Sequence, residues 1–151
     1  PALVPGLLFV IGAVISFAIG SSWGTMAILL PIGINMAYSF GLDFPLVIAA
    51  VLSGSLFGDH CSPISDTTIM ASAGAHCSHV NHVSTQLPYA ITAAACSAVC
   101  YVITGLAQAV LGSRASLVTS LVLLVVAIVL ELAVLSVIRA RTRAKTSGDA
   151  A

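Results

Sequence analysis

Two aspartates seven positions apart, Asp59 and Asp66, stand among hydroxyls in the run Gly58-Asp59-His60-Cys61-Ser62-Pro63-Ile64-Ser65-Asp66-Thr67-Thr68. Carboxylates and hydroxyls are hard oxygen ligands, suited to a small hard cation. Residues 1–113 hold no Lys or Arg, and a carboxylate in so apolar a chain is costly to keep and therefore functional by default. Asp66 follows Ser65 and should open a helix, where free N–H groups and the positive dipole end keep it ionised as a cation ligand. The competing reading of Asp66 is a plain helix cap. Asp59 should lie near the C-terminal end of the preceding helical stretch. There the negative dipole end and apolar surroundings favour its protonated form, so it is the expected carrier of an exchangeable proton. His60 adjoins it as a proton partner, or merely as a polar neighbour.

The remaining histidines are His76, His79 and His82, which on a helix form a drifting stripe. They read as polar loop residues bonding to backbone, or as a pH-sensing loop. With Cys61 and Cys77 they would suggest zinc, but no Cys-x2-Cys or His-x3-His pairing is present. Cys96 and Cys100, one helical turn apart, read as small packing residues rather than part of a disulfide framework.

These groups must be positioned by segments suited to lipid. The chain has 151 residues, 59% hydrophobic and 7% charged, with a mean hydropathy of +1.12. A soluble domain is about a quarter charged, so a water-soluble globule is excluded. Five basic against five acidic residues leave no field for nucleic acid. The chain starts with Pro1 and shows no charged leader, so it reads as a polypeptide whose beginning is missing.

Residues 87–111 and 116–138 are each long enough to cross a bilayer, which needs about 20 apolar residues. The turn Gly112-Ser113-Arg114-Ala115 makes them antiparallel neighbours. The tail 139–151, with Arg139, Arg141, Arg143 and Lys145, belongs in the cytoplasm by the positive-inside rule. Counting back places Arg114 outside and the histidine-rich stretch inside. Glu131, inside the last span, has no base one turn away and is not assigned to the site.

Residues 44–57 and 66–75 rise roughly 21 Å and 15 Å, too short to cross singly and long enough to cross once together. Residues 44–75 therefore read as one discontinuous transmembrane helix, unwound where Gly58, Ser62, Pro63 and Ser65 sit. Residues 1–40 are interrupted at Gly20-Ser21-Ser22-Trp23-Gly24-Thr25 and read as a re-entrant hairpin, because small and hydroxyl residues suit a tip lining a cavity. Two full spans have the same parity. The fold class expected is all-α and multi-pass: a hairpin, one discontinuous helix and two full spans. Irregular backbone survives at membrane depth only where it lines protein or water. Two breaks in neighbouring segments thus point to a shared site, as in secondary transporters, though channels use bare backbone as well.

The run from Asp59 to Thr68 resembles the signature of the NhaC-type Na+/H+ antiporters of the ion-transporter superfamily. Ser22-Trp23-Gly24-Thr25, Leu30-Pro31-Ile32, the spacing of His79 and His82, and Thr85-Gln86-Leu87-Pro88-Tyr89-Ala90 agree with it. The likeness covers about residues 16–90, and the family is about three times longer, so the chain resembles its C-terminal portion. It implies the second half of an inverted-repeat transporter that exchanges Na+ for H+ by alternating access, with no enzyme activity and no cofactor beyond the transported ions. Carried over by position, Asp59, Ser62, Ser65, Asp66 and Thr67 line the cation site, with His60 beside it and Ser22 and Thr25 facing it from the hairpin tip. The resemblance implies that Na+ is held through Asp59 and Asp66. Relatives often carry acids just before each of the paired histidines and a base after them; Ser78, Asn81 and Ser84 stand there instead, which puts charge regulation at that loop in doubt.

The same family includes exchangers of malate or lactate, an alternative kept open although no base stands in the membrane segments to receive a carboxylate. A third reading is a non-transporting membrane or metal-binding protein. The partners expected are the lipid bilayer of the cell membrane, the missing N-terminal half of the polypeptide and, as an open option, a second copy in a homodimer.

Overall fold

The structure is a computed structural model and describes residues 1–111 and 118–148. Their regular elements are all helices: α1 (Val4–Ile19), α2 (Ser22–Phe40), α3 (Phe44–Cys61), α4 (Asp66–Gly74), α5 (His79–Leu111) and α6 (Val118–Gly148). By length and composition α2, α3 and the His79–Val110 stretch of α5 can each cross a membrane, while α1 and the Leu124–Ile138 stretch of α6 are apolar but shorter. The protein is an all-α, multi-pass membrane protein.

Local sequence sets the helix ends. Pro5 lies in the first turn of α1, and Gly20 closes it at φ 72° with its N–H on the Ser16 carbonyl at 2.8 Å. That left-handed conformation favours glycine. Ser21 then caps α2, its Oγ accepting the Gly24 N–H at 3.3 Å. Gly41 ends α2 in the same left-handed way as Gly20 ends α1. Pro45 lies in the first turn of α3, where a missing N–H costs nothing.

Residue pairings give the helix directions. Gly54 and Gly58 of α3 lie so close to the Phe9 and Ala13 carbonyls of α1 that a Cβ at either would collide with them, so α1 and α3 run parallel. Small residues allow such approach in lipid, where apolar side chains gain nothing by leaving other apolar groups. Gly33 of α2 meets Val47 and Val51 of α3, whereas Ser22 meets Asp59, so α2 runs antiparallel to both. α5 is antiparallel to α3 along its length: Gln108 reaches Asp43, Tyr101 reaches Ser53 and Gln86 reaches His60. One end of the α1–α2–α3 group is apolar, built on Val4, Leu8, Leu29, Ala37, Val47 and Val51. The other end holds the buried polar residues around Asp59.

Four expectations change. The unwinding does not begin at Gly58: α3 continues to Cys61 and the break is confined to residues 62–65, because Gly58 serves close contact with α1 rather than a bend. The span expected from residue 87 starts at His79, so α5 extends past the break beside α4 with Pro88 inside it. His76 stands outside that helix at φ 51°, which breaks up the expected three-histidine stripe. α6 runs on to Gly148, so much of the expected basic tail is helical. The turn at residues 112–115, including Arg114, and residues 116–117 and 149–151 lie outside the described residues.

Candidate functional site

Asp59 occupies the last turn of α3 and is only 4% exposed. Two hydroxyls from other elements reach its carboxylate. Ser22, the first residue of α2, donates through Oγ to Oδ2 at 2.8 Å. Ser65, just before α4, donates through Oγ to Oδ1 at 2.6 Å. Such charge-assisted bonds are shorter and stronger than bonds between neutral groups. Both donors sit at helix N-termini, whose partial positive charge faces the carboxylate and opposes the negative end of α3.

Ser65 gives up its ordinary role to do this. It precedes α4, yet its side chain makes no capping bond. Its Oγ goes to Asp59 and also lies 2.7 Å from Thr67 Oγ1. Asp66 instead accepts the Thr67 N–H through Oδ1 at 2.8 Å and is exposed. The polar group around Asp59 therefore joins Ser22, Ser65 and Thr67, while Asp66 faces outward at the start of α4.

The hairpin tip is wedged against the break. A Cβ at Gly20 would lie 2.9 Å from Ile64 Cγ1 and 3.1 Å from the Ile64 carbonyl, so tip and break are in contact. Ser62 is fully buried; its N–H bonds the Asp59 carbonyl at 3.1 Å, and its Oγ accepts the Ile64 N–H at 3.4 Å. Thr25 is also fully buried, with Oγ1 donating to the Ser21 carbonyl at 2.9 Å.

His60 turns away from its neighbour. Its ring is exposed and its Nδ1 lies 2.9 Å from the Leu56 carbonyl. The His60 carbonyl, at the C-terminal end of α3 where helix partners run out, receives Gln86 Nε2 at 2.8 Å and Thr68 Oγ1 at 3.2 Å. His79 ties α5 to the break, with Nε2 at 2.7 Å from the Pro63 carbonyl and Nδ1 at 3.2 Å from Ser72 Oγ. Among the described residues no group of three or more His, Cys, Asp or Glu side chains could hold a metal ion.

Sequence reasoning passed over Ser16 and Ser55. Both are fully buried in otherwise apolar helices, and Ser16 Oγ donates to the Ser55 carbonyl at 2.6 Å. The available signal was a hydroxyl one turn before Asp59 on the same face. Gln86 and Thr68, which hold the end of α3 to α5 and α4, were visible only as parts of motifs. A separate cavity of about 730 Å3 lies between α3, α5 and α6, lined among others by Asp43, Cys96, Cys100, Tyr101, Thr104 and Glu131. Asp59 does not line it.

Residues 1–106 match the Na+/H+ antiporter family. An uncharacterised protein of Haemophilus influenzae is 52% identical over 90 residues, 59% of this chain and 17% of its own length. The malate-2H(+)/Na(+)-lactate antiporter of Bacillus subtilis is 38% identical over 84 residues, 56% of this chain and 18% of that protein. The arginine/ornithine antiporter ArcD of Halobacterium salinarum is 36% identical over 91 residues, 60% of this chain and 19% of that protein. The chain thus spans less than a fifth of the length of these curated relatives. No solved structure matches it.

Proposed function

This chain belongs to the Na+/H+ antiporter family, and on that premise we propose that it carries the ion-binding portion of a secondary antiporter, a transporter rather than an enzyme, exchanging Na+ for H+ at Asp59. The observation that carries the reading is a buried carboxylate held by hydroxyls from two other elements at a helix break. Ser22, Ser65 and Thr67 supply hard oxygens in place of the ion's water. Desolvation requires this, because unpaired polar groups cost several kcal/mol in hydrocarbon.

Exchange follows from competition at one carboxylate. Na+ binds when Asp59 is ionised; a proton on Asp59 removes the ligand and turns the carboxyl into a donor. If only loaded states reorient, ion and proton must alternate. Ser62 and Thr25, both fully buried, flank the site, and His60 is placed to tune the break through its own carbonyl. Asp66 is a second carboxylate at the open side, where an arriving cation meets it first. The protein then sits in the cell membrane with its C-terminus in the cytoplasm, completed by the N-terminal half of the polypeptide and, as a further option, paired in a homodimer.

Asp59→Asn should abolish Na+-dependent proton movement in everted vesicles while leaving membrane insertion intact; ordinary exchange in that variant refutes the role. Because protons compete, half-saturating Na+ should rise as pH falls, approaching about tenfold per pH unit on the acid side.

The likeness to the Bacillus subtilis protein favours a second reading, in which Na+ or H+ is coupled to an organic acid. A carboxylate substrate could meet the N-termini of α2 and α4. Na+/H+ exchange in liposomes free of organic substrate supports the first reading, and strict dependence on added malate or lactate supports the second.

A further inference from the structure

Ser55 is fully buried in α3, and its Oγ is the one buried side-chain polar atom among the described residues without a hydrogen-bond partner. A serine in a helix can satisfy itself by donating to a carbonyl one turn back. Ser53, two positions earlier in the same helix, does so, with Oγ on the Ala49 carbonyl at 2.7 Å. Ser55 does not, and a buried hydroxyl left unbonded is expensive.

Its position gives that hydroxyl a use. Ser55 lies four residues before Asp59, on the same face of α3, and a helical side chain leans toward the N-terminus of its helix. The two side chains therefore stand on adjacent turns of one face, with Asp59 also reached by Ser22 and Ser65. Helix α1 closes one side: Ser16 Oγ donates to the Ser55 carbonyl, and the backbone of Ser55 packs against Gly12. Helix α2 closes the other. With Ser22 opposite Asp59 and Gly33 opposite Val51, the antiparallel register sets the level of Ser55 between them, near Thr25 and Leu29. Thr25 is fully buried there, and its hydroxyl proton is already donated to the Ser21 carbonyl, which leaves its oxygen as an acceptor.

We propose that Ser55 Oγ is a direct ligand of the dehydrated cation, which sits one helical turn deeper than the bonds from Ser22 and Ser65, between Ser55 and Asp59. A small hard alkali cation is the class that fits, since it needs oxygens and tolerates no unfilled coordination. Ser16 is a positioning residue that pins the Ser55 turn to α1. The proposal rests on the Na+/H+ reading above.

The test uses the whole protein in liposomes, comparing wild type, Ser55→Ala and Ser55→Cys, with Na+ and Li+ as the probes. Ser55→Ala should raise half-saturating Na+ by about tenfold or more, the effect of losing one good ligand. It should also remove most Na+-induced thermal stabilisation and leave sodium-free stability unchanged or higher, since an unbonded hydroxyl is gone. Ser55→Cys keeps the volume but offers a soft sulfur, and should weaken Na+ binding without hindering assembly; it decides the matter if Ser55→Ala does not assemble. Half-saturation unchanged in the assembled variant overturns the proposal, whatever happens to sodium-free stability. Wild-type exchange indifferent to Na+ overturns both this proposal and the reading it rests on. Sodium-dependent wild-type exchange with an unchanged variant overturns this one alone.

Discussion

Asp59 lies buried in the last turn of one helix; seven residues on, Asp66 opens another and faces outward. The first receives hydroxyls from α2 and from the residue before α4. The second accepts a single N–H from its own neighbour. Both are acids of one short run, so composition does not separate them. What separates them is the α1–α2 hairpin, whose tip docks on the break and delivers Ser22 to one carboxylate and nothing to the other. On the proposed reading, a charge becomes an exchange site when elements distant in sequence converge on it. Glu131 extends the contrast: it lines an apolar cavity between α3, α5 and α6 and shares no part of the hydroxyl cluster.

The contrast ranks the side chains. Asp59→Asn should remove exchange altogether, because neither ion can then be held as a charge-neutral unit. Ser65→Ala comes next, since a bond from hydroxyl to carboxylate contributes about 1.5–3 kcal/mol; half-saturating Na+ in flux assays should rise about tenfold to a hundredfold. Ser22→Ala should act in the same direction and less strongly, its bond being the longer of the two. Asp66→Asn should slow entry at low Na+ by only a few-fold and leave the maximal rate intact, and a loss as complete as that of Asp59→Asn would erase the contrast. Glu131→Gln should leave exchange unchanged, and a Na+ affinity that falls with it would put a second carboxylate in the pathway.

Much of this was legible in the residues. The apolar spans, the break after α3 and the hydroxyl-rich motif all show as local patterns, and local pattern is what composition and spacing record. The sidedness of Asp59 and Asp66 does not show, because it depends on how a hairpin some forty residues upstream folds back. Gly58 illustrates the same limit. A glycine beside Asp59 reads as a breaker, yet its absent Cβ is needed for contact with the Ala13 carbonyl. Gly54, four residues earlier, makes the matching contact with Phe9, so the pair was a readable packing signal. Ser16 and Ser55 look like incidental hydroxyls in apolar helices until three helices are seen to meet there.

The central claim is that a single buried carboxylate binds either sodium or a proton, and proton release measures it without any transport step. Na+ added to the whole purified protein in weakly buffered detergent solution should release protons in wild type and in Asp66→Asn, and none in Asp59→Asn. Release from Asp59→Asn equal to wild type would contradict the account.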